Sequence, residues 1–585
     1  MCSKFFLRRN FFRTEAPFPP VEHGIMGIYT ERKINIGACA AILTAAFAVL
    51  FGVWLFVGPE LMRSEVIYAS AAAEFSFGKP LLVTIHDWST AECMPFLPAM
   101  ARLLRDLTGA PMESVLRGFS ILMLAAGAVL AYLAAGSRNS PRAGLVAAAM
   151  YSSCFLALGT AVEGTPATCS AFFLAAAQLV FFQYGIRRSD WNRAWVFSAV
   201  LALLGFLSGG FVVLVFFIFP MFFFRRPLSV SSKFRRPGFA AAVVIAALLI
   251  LWWSGSLSSY QRQIPLYELW RRQLSDVSLG WRLVTFPFEL IFWLLPWSLI
   301  AWIPFCVALQ SLDDTPIYSR YLRTLVFSSL ALLWLLPGPG RFGLFYALVP
   351  LSVLTGRFYE LGVRRYGIKL RRFFLIVEIF MAVVPLLIVA GWFLPEMWLE
   401  HIFRVGQSVN FRNWGAFRFA AAAALAAAVL LAFYVHRMRE RDPAWMILLA
   451  ASVASALFFN VFQFSYKSQD RSKRNFGSQL RAALPGEVRM IYTQNVRNLN
   501  GGLFYAGVKV RRLGYGETFS GNEQEVYVLS GEFPQFPGYG GWTKVPPPQG
   551  AVQGDFVYNE HPLTLWKGRK NDKDKSVPEN KSGEK

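Results

Sequence analysis

Apolar runs of near twenty residues recur from one end of this chain to the other, separated by short polar joints. A helix needs about 20 such residues to cross a hydrocarbon core. Runs at 36–57, 119–135, 239–253, 374–393, 416–435 and 444–462 approach that length. Shorter or weaker runs at 143–158, 167–182, 194–207, 210–224, 288–309, 322–336 and 342–354 fill the gaps, giving about thirteen spans. With 55% hydrophobic and only 16% charged residues over 585 positions, the chain is too apolar for a water-soluble protein of its size. The expectation is an all-α polytopic membrane protein.

A net charge of +23 would suit a nucleic-acid binder if it were gathered in one basic domain, but the Lys and Arg recur at intervals between the spans. "GSRNSPR", "GIRRSDWNR", "RRPLSVSSKFRR", "YSRYLR", "RRYGIKLRR" and "HRMRERD" make every second joint basic. The positive-inside rule assigns these joints, and the basic N-terminal segment 1–34, to the cytoplasm. An odd number of spans then carries the C-terminal segment outside, with the first span as an uncleaved anchor. The six cysteines show no CxxC and no external framework, and read as small buried residues.

The spans define a transmembrane region 35–463. Its outward joints include a long loop, 58–114, with the helix-like stretches "LMRSEVIYASAAAEF" and "PFLPAMARLLRDLTG", and a second long joint around "YQRQIPLYELWRRQL". Long loops on a rigid scaffold usually carry function. Beyond the spans, "RSKRNFGSQLRAAL" reads as an amphipathic helix, and strand-like runs follow at "EVRMIYT", "GVKVRRL", "EVYVLS", "DFVYN" and "LTLWKG". These predict a small extracytoplasmic α/β domain, 464–567, before a charged disordered tail, 568–585.

Several outward residues have the chemistry of a site, each with a plainer reading beside it. Glu65 lies one helical turn from Tyr68 on an amphipathic stretch, where a solvated carboxylate is the plain alternative. His86, Asp87 and Glu92 share the segment "HDWSTAECMPF" and are donors of the kind that acid/base work or a divalent metal requires, although three possible ligands in one loop do not define a metal site. Glu163 in "GTAVEGTPAT" precedes a helix start, a common place for a carboxylate. Arg341 in "PGPGRFGLFYALVP" opens a span and could simply snorkel.

In their order along the chain, these features resemble the GT-C glycosyltransferases, in particular glycosyltransferase family 39 with its protein O-mannosyltransferases and undecaprenyl-phosphate aminoarabinose transferase. "FLSGGFVVLVFFIFP", "FPFELIFWLLPW" and "GRFGLFYALVP" carry the resemblance together with the acidic first loop. It implies an enzyme that moves a sugar from a polyprenyl-phosphate carrier to a lipid or protein acceptor at the outer face of a bacterial inner membrane. Glu65 or Glu92 would then be the catalytic base or orient the acceptor, and Glu163, His86 and Asp87 would bind substrate. Arg341 with Arg271 or Arg272 would stabilise the departing phosphate, as cationic forks do. The carrier-linked sugar is the donor that the resemblance implies, and a divalent metal is left as an alternative.

The sequence departs from the family pattern near the chemistry. Ser64-Glu65 stands where the family has Asp-Glu, Glu92-Cys93-Met94-Pro95 lacks a lysine, and so does Ser208-Gly209-Gly210. Three readings follow. Glu65 or Glu92 replaces the missing base, the acceptor is an anion that needs none, or the chain is a catalytically impaired relative that binds polyprenyl phosphate or regulates a partner. A lipid or small-molecule transporter is a further alternative, but it would place ionisable groups in mid-span, where this sequence has little beyond Glu378.

Overall fold

The computed structural model describes residues 60–79, 81, 83–85, 88–89, 93–136, 141–160, 163–224, 230–258, 279–335, 340–359, 361–362, 472–494, 500–513, 524–531, 533–534, 539–546, 556–558 and 561–570. The expected runs 36–57, 374–393, 416–435 and 444–462, with the N-terminal segment and the tail beyond 570, lie outside them. Gly568–Lys570, expected to begin the disordered tail, instead pair into the sheet as the end of the strand His561–Lys570. The loop after residue 59 forms α1 (Arg63–Glu74), a small antiparallel hairpin of β1 (Thr84–Ile85) and β2 (Trp88–Ser89), and α2 (Phe96–Thr108). The helices α3 (Met112–Gly136), α4 (Pro141–Ser153), α5 (Phe155–Thr160), α6 (Ala167–Phe181), α7 (Trp191–Gly209), α8 (Phe211–Ile218) and α9 (Pro237–Ser258) come next. After α10 (Leu279–Trp293), α11 (Pro316–Leu335) and α12 (Phe342–Tyr359) complete the described helical body.

Among the described residues, α3, α7, α9, α12 and α6 with its π-helical continuation Phe182–Arg187 are long and apolar enough to span a membrane. A sixth would be the pair Val284–Trp293 and Trp297–Phe305, bent by 109°. The chain is a multi-pass membrane protein. Three expected spans take a different form. The 288–309 run is bent at the break between Trp293 and Trp297, where Pro296 removes a backbone donor. The 143–158 run breaks at Cys154 into α4 and α5, where the Phe155 N–H donates to the Leu295 carbonyl instead of staying in the helix ladder (2.9 Å). The 210–224 run is a short α-helix that tightens into the 3-10 turn Phe219–Phe223 around Pro220.

Small residues let these helices approach closely, as in other membrane bundles. A Cβ on Gly144 would stand 2.8 Å from the Tyr132 carbonyl, and one on Gly356 2.9 Å from the Ala147 nitrogen, so α4 is pressed between α3 and α12. The ends of the bundle can be told apart by contacts. The starts of α3, α6 and α12 and the end of α7 meet near α1, where Ser170 Oγ lies 3.4 Å from Tyr346 Oη and Cys169 Sγ 3.5 Å from Ser208 Oγ. At the opposite end the Tyr318 hydroxyl donates to the Ala134 carbonyl (3.3 Å). There Arg357 Nη2 pairs with Asp313 Oδ1 at 3.1 Å, both side chains buried.

Residues 472–570 form a sheet with helices on one face. The strand order is β4 (Lys509–Leu513), β3 (Met490–Gln494), β5 (Glu525–Ser530), β8 (His561–Lys570), β6 (Tyr539–Val545), with β7 (Phe556–Tyr558) also on β8. β4, β3 and β5 are parallel, and β8 runs antiparallel to β5 and β6. A parallel neighbour requires a crossover, supplied between β3 and β4 by α14 (Asn500–Ala506); α13 (Ser472–Ala483) packs beside it. Phe476, Leu480 and Leu503 meet Ile491, Val510, Leu529 and Leu565 in this core. Tyr492, Val526, Val528 and Tyr539 form a second cluster on the other face.

Candidate functional site

The site is built around the entry of α1. Glu65 is the third residue of the helix, and from there a glutamate can reach back to the N-cap amide. It does so: the Met62 N–H donates to Oε2 at 2.7 Å. The carboxylate is fully buried and carries three further bonds. Arg117 donates Nε to Oε1 at 3.2 Å and Nη2 to Oε2 at 3.3 Å, a two-pronged charged pair. The Gly164 N–H donates to Oε1 at 2.8 Å. Both oxygens are thus enclosed by donors from three elements, and neither is presented to solvent.

This node joins two residues singled out in the sequence. Glu163 immediately precedes Gly164 and is itself buried, in a turn where its N–H donates to the Thr160 carbonyl (3.0 Å) and its carbonyl accepts from the Thr165 N–H (2.8 Å). The turn is pressed on α3: a Cβ at Gly164 would stand 2.8 Å from Leu116 Cβ. Thr165, just before α6, and Thr168, on its first turn, have buried hydroxyls without a hydrogen-bond partner. α1 is held at its far end too, since Arg102 on α2 donates to the Ala73 carbonyl (3.2 Å).

Arg117 escaped sequence reasoning although it left a signal. It is the one charge in α3 beyond Glu113, and an ionisable residue inside an apolar helix marks a partner nearby. Glu60 escaped as well. Its carboxylate accepts the backbone N–H of Arg474 (2.8 Å) and Lys473 (3.2 Å), closing the exposed N-terminal amides of α13.

Two of the departures noted in the sequence fall at closely packed positions. Cys93 is buried with Ala71 and Val83 between α1 and the hairpin. Ser208 donates to the Leu204 carbonyl (2.8 Å), Gly209 lies so close to α6 that a Cβ would stand 2.7 Å from Ser170 Cβ, and Gly210 turns the chain into α8 at φ +79°. Glycine adopts that left-handed conformation without steric cost.

A family model described as dolichyl-phosphate-mannose-protein mannosyltransferase matches residues 92–253, from the end of the hairpin loop to α9. The chain superposes on ArnT from Cupriavidus metallidurans bound to undecaprenyl phosphate, with TM-score 0.64 at 15% identity, over 91% of this chain and 98% of that one. This chain has the GT-C fold. The apo state of the same ArnT gives a TM-score of 0.62 at the same coverage and identity. No curated protein matches the sequence.

Within the GT-C framework the remaining candidates divide simply. Ser64 sits on the first turn of α1 and Arg341 on the 3-10 turn Gly340–Leu344 that opens α12, at the same end of the bundle as Glu65 and Glu163. His86, Asp87, Glu92, Arg271 and Arg272 lie outside the described residues. Among the described residues no group of three His, Cys, Asp or Glu could hold a metal ion.

Proposed function

We propose that the chain is a membrane glycosyltransferase that moves a sugar from a polyprenyl-phosphate carrier to a lipid or protein acceptor at the outer face of a bacterial inner membrane. The observation that carries this reading is the agreement of the fold, over 91% of this chain, with a protein crystallised with undecaprenyl phosphate. In this reading residues 35–463 form the membrane body and 464–567 an extracytoplasmic α/β domain. The reaction is an inverting displacement: an acceptor oxygen bonds to the anomeric carbon as the bond from that carbon to the carrier phosphate breaks, releasing polyprenyl phosphate. Arg341 with Arg271 or Arg272 would stabilise the charge gathering on the phosphate. Glu163, with His86 and Asp87, would hold the sugar.

The enclosure of Glu65 bears on which group takes the acceptor proton. A base must come within hydrogen-bond reach of that proton, and both Glu65 oxygens already accept from amides and Arg117. We therefore assign Glu65 to positioning. The proton of a neutral acceptor passes to Glu92, whereas an anionic acceptor such as a lipid phosphate needs no base. The same enclosure favours, as a second reading, a relative that binds polyprenyl phosphate without turning it over.

Sugar transfer in membranes, measured with a panel of polyprenyl-phosphate sugars, tests these readings. Glu92→Gln should cost on the order of 100-fold or more for a neutral acceptor and little for a phosphate acceptor. Arg341→Ala should lower turnover with either. A wild type silent across the panel, with carrier binding retained, would leave the binding relative; if Ser64→Asp then gained turnover, the first loop has lost its base. Chelation with EDTA decides whether a divalent metal takes part.

A further inference from the structure

We propose that α13 and α14 form a positioning clamp on the entry of α1, through which docking of the α/β segment sets the Glu65 node. The connection is continuous and made of specific bonds. Glu60 closes the N-terminus of α13, and Lys473 Nζ reaches the Leu61 carbonyl at 2.7 Å. The Tyr505 hydroxyl, from α14, accepts the Leu61 N–H at 2.9 Å, and Phe504 packs on the cluster of Leu61, Val66 and Leu97. Arg474 Nη2 pairs with Glu113 Oε2 at 2.6 Å on the first turn of α3, and its guanidinium lies over the Tyr505 ring at 5.4 Å.

Residues 60 and 61 are therefore gripped from the α/β side, and Met62 and Glu65 from the membrane side. Arg117 spans the two grips, since its Nη2 donates both to Glu65 Oε2 and, at 3.4 Å, to the Glu60 carbonyl. A shift of α13 that pulled Glu60 would move the partner of the one guanidinium holding Glu65, and through Glu65 the Gly164 turn beside Glu163. Glu60, Arg474 and Tyr505 are accordingly positioning residues. The kinetic arm of the test rests on the transferase reading, and the exchange arm does not.

Hydrogen exchange on the full chain in detergent, with Glu60→Ala and the milder Tyr505→Phe, reads three segments: 62–74, 160–170 and 525–530. The expected result is faster exchange by at least tenfold in the first two segments and no change in β5, which reports that the α/β sheet is still folded. Among the described residues the 160–170 turn is joined to Glu65 through Gly164, so an attachment that ended at residues 60 and 61 would leave it at the wild-type rate, and that result overturns the clamp. In the transfer assay both variants should lower kcat with KM held within about twofold, and a fall confined to binding overturns the positioning role. Should wild type transfer no sugar while the 160–170 exchange still rises in both variants, the clamp stands and the transferase reading falls.

Discussion

Removing the arginine of the central pair is the most direct test of the site's construction. Arg117→Met keeps the length and apolar stem of the side chain but leaves the Glu65 carboxylate buried without its cation. Both side chains are essentially inaccessible, at 2% and 0%, so solvent screening does not soften the loss. Removing one partner of such a pair costs about 3–5 kcal/mol. At roughly 1.4 kcal/mol per factor of ten, the Gly164 turn should open two to nearly four powers of ten more often. Exchange at 160–170 in the detergent-solubilised full chain reads this directly, because the Gly164 N–H is itself bonded to Glu65. Arg117→Lys retains the charge without the fork and should fall between wild type and the methionine variant. If Arg117→Met left the turn within threefold of wild type, the pair does not hold the turn and the account of the site is wrong.

Gly164→Ala should loosen the same turn by a different route, since the added carbon would stand 2.8 Å from Leu116 Cβ and overpacking of this kind costs about 1–3 kcal/mol. An unchanged thermal midpoint would show that α3 yields freely. At the far end of the bundle, Arg357→Met strands the buried Asp313 carboxylate at a similar cost of about 3–5 kcal/mol, and proteolysis at the 311–315 loop should accelerate. Alkaline pH should release the clamp. Burial, with the Glu113 carboxylate beside it, pushes the Tyr505 phenol above its ordinary range despite the Leu61 amide and Arg474. A group raised in the fold contributes fully below its unfolded value of about 10 and loses that contribution above it. Exchange at 500–506 should therefore climb above about pH 10 in wild type, and Tyr505→Phe should flatten that limb.

The sequence read well where one segment's own composition governs the outcome. The long loop 58–114 showed α2 through amphipathic spacing, and the alternating or β-branched runs "EVYVLS" and "LTLWKG" became neighbouring strands β5 and β8. β6 passed unnoticed because Gly540 and Gly541 lower strand propensity, and it is held by pairing across a bulge to β8. The apolar runs at 143–158 and 288–309 looked like single spans because hydropathy counts side chains and ignores where a backbone bond leaves the helix.

What the sequence alone determined is the class of environment and the rhythm of the chain: apolar length fixes that helices cross a membrane, and basic joints bias their orientation, both properties of consecutive residues. Only the tertiary structure decided the state of Glu65. Its partners are Met62, Arg117 and Gly164, up to 99 positions away, and no local pattern distinguishes a carboxylate closed in by such donors from one open to a substrate. The same holds for Glu60 and the amides of α13, more than 400 residues on. A carboxylate's role is set by which donors share its volume, and those donors are brought together by packing.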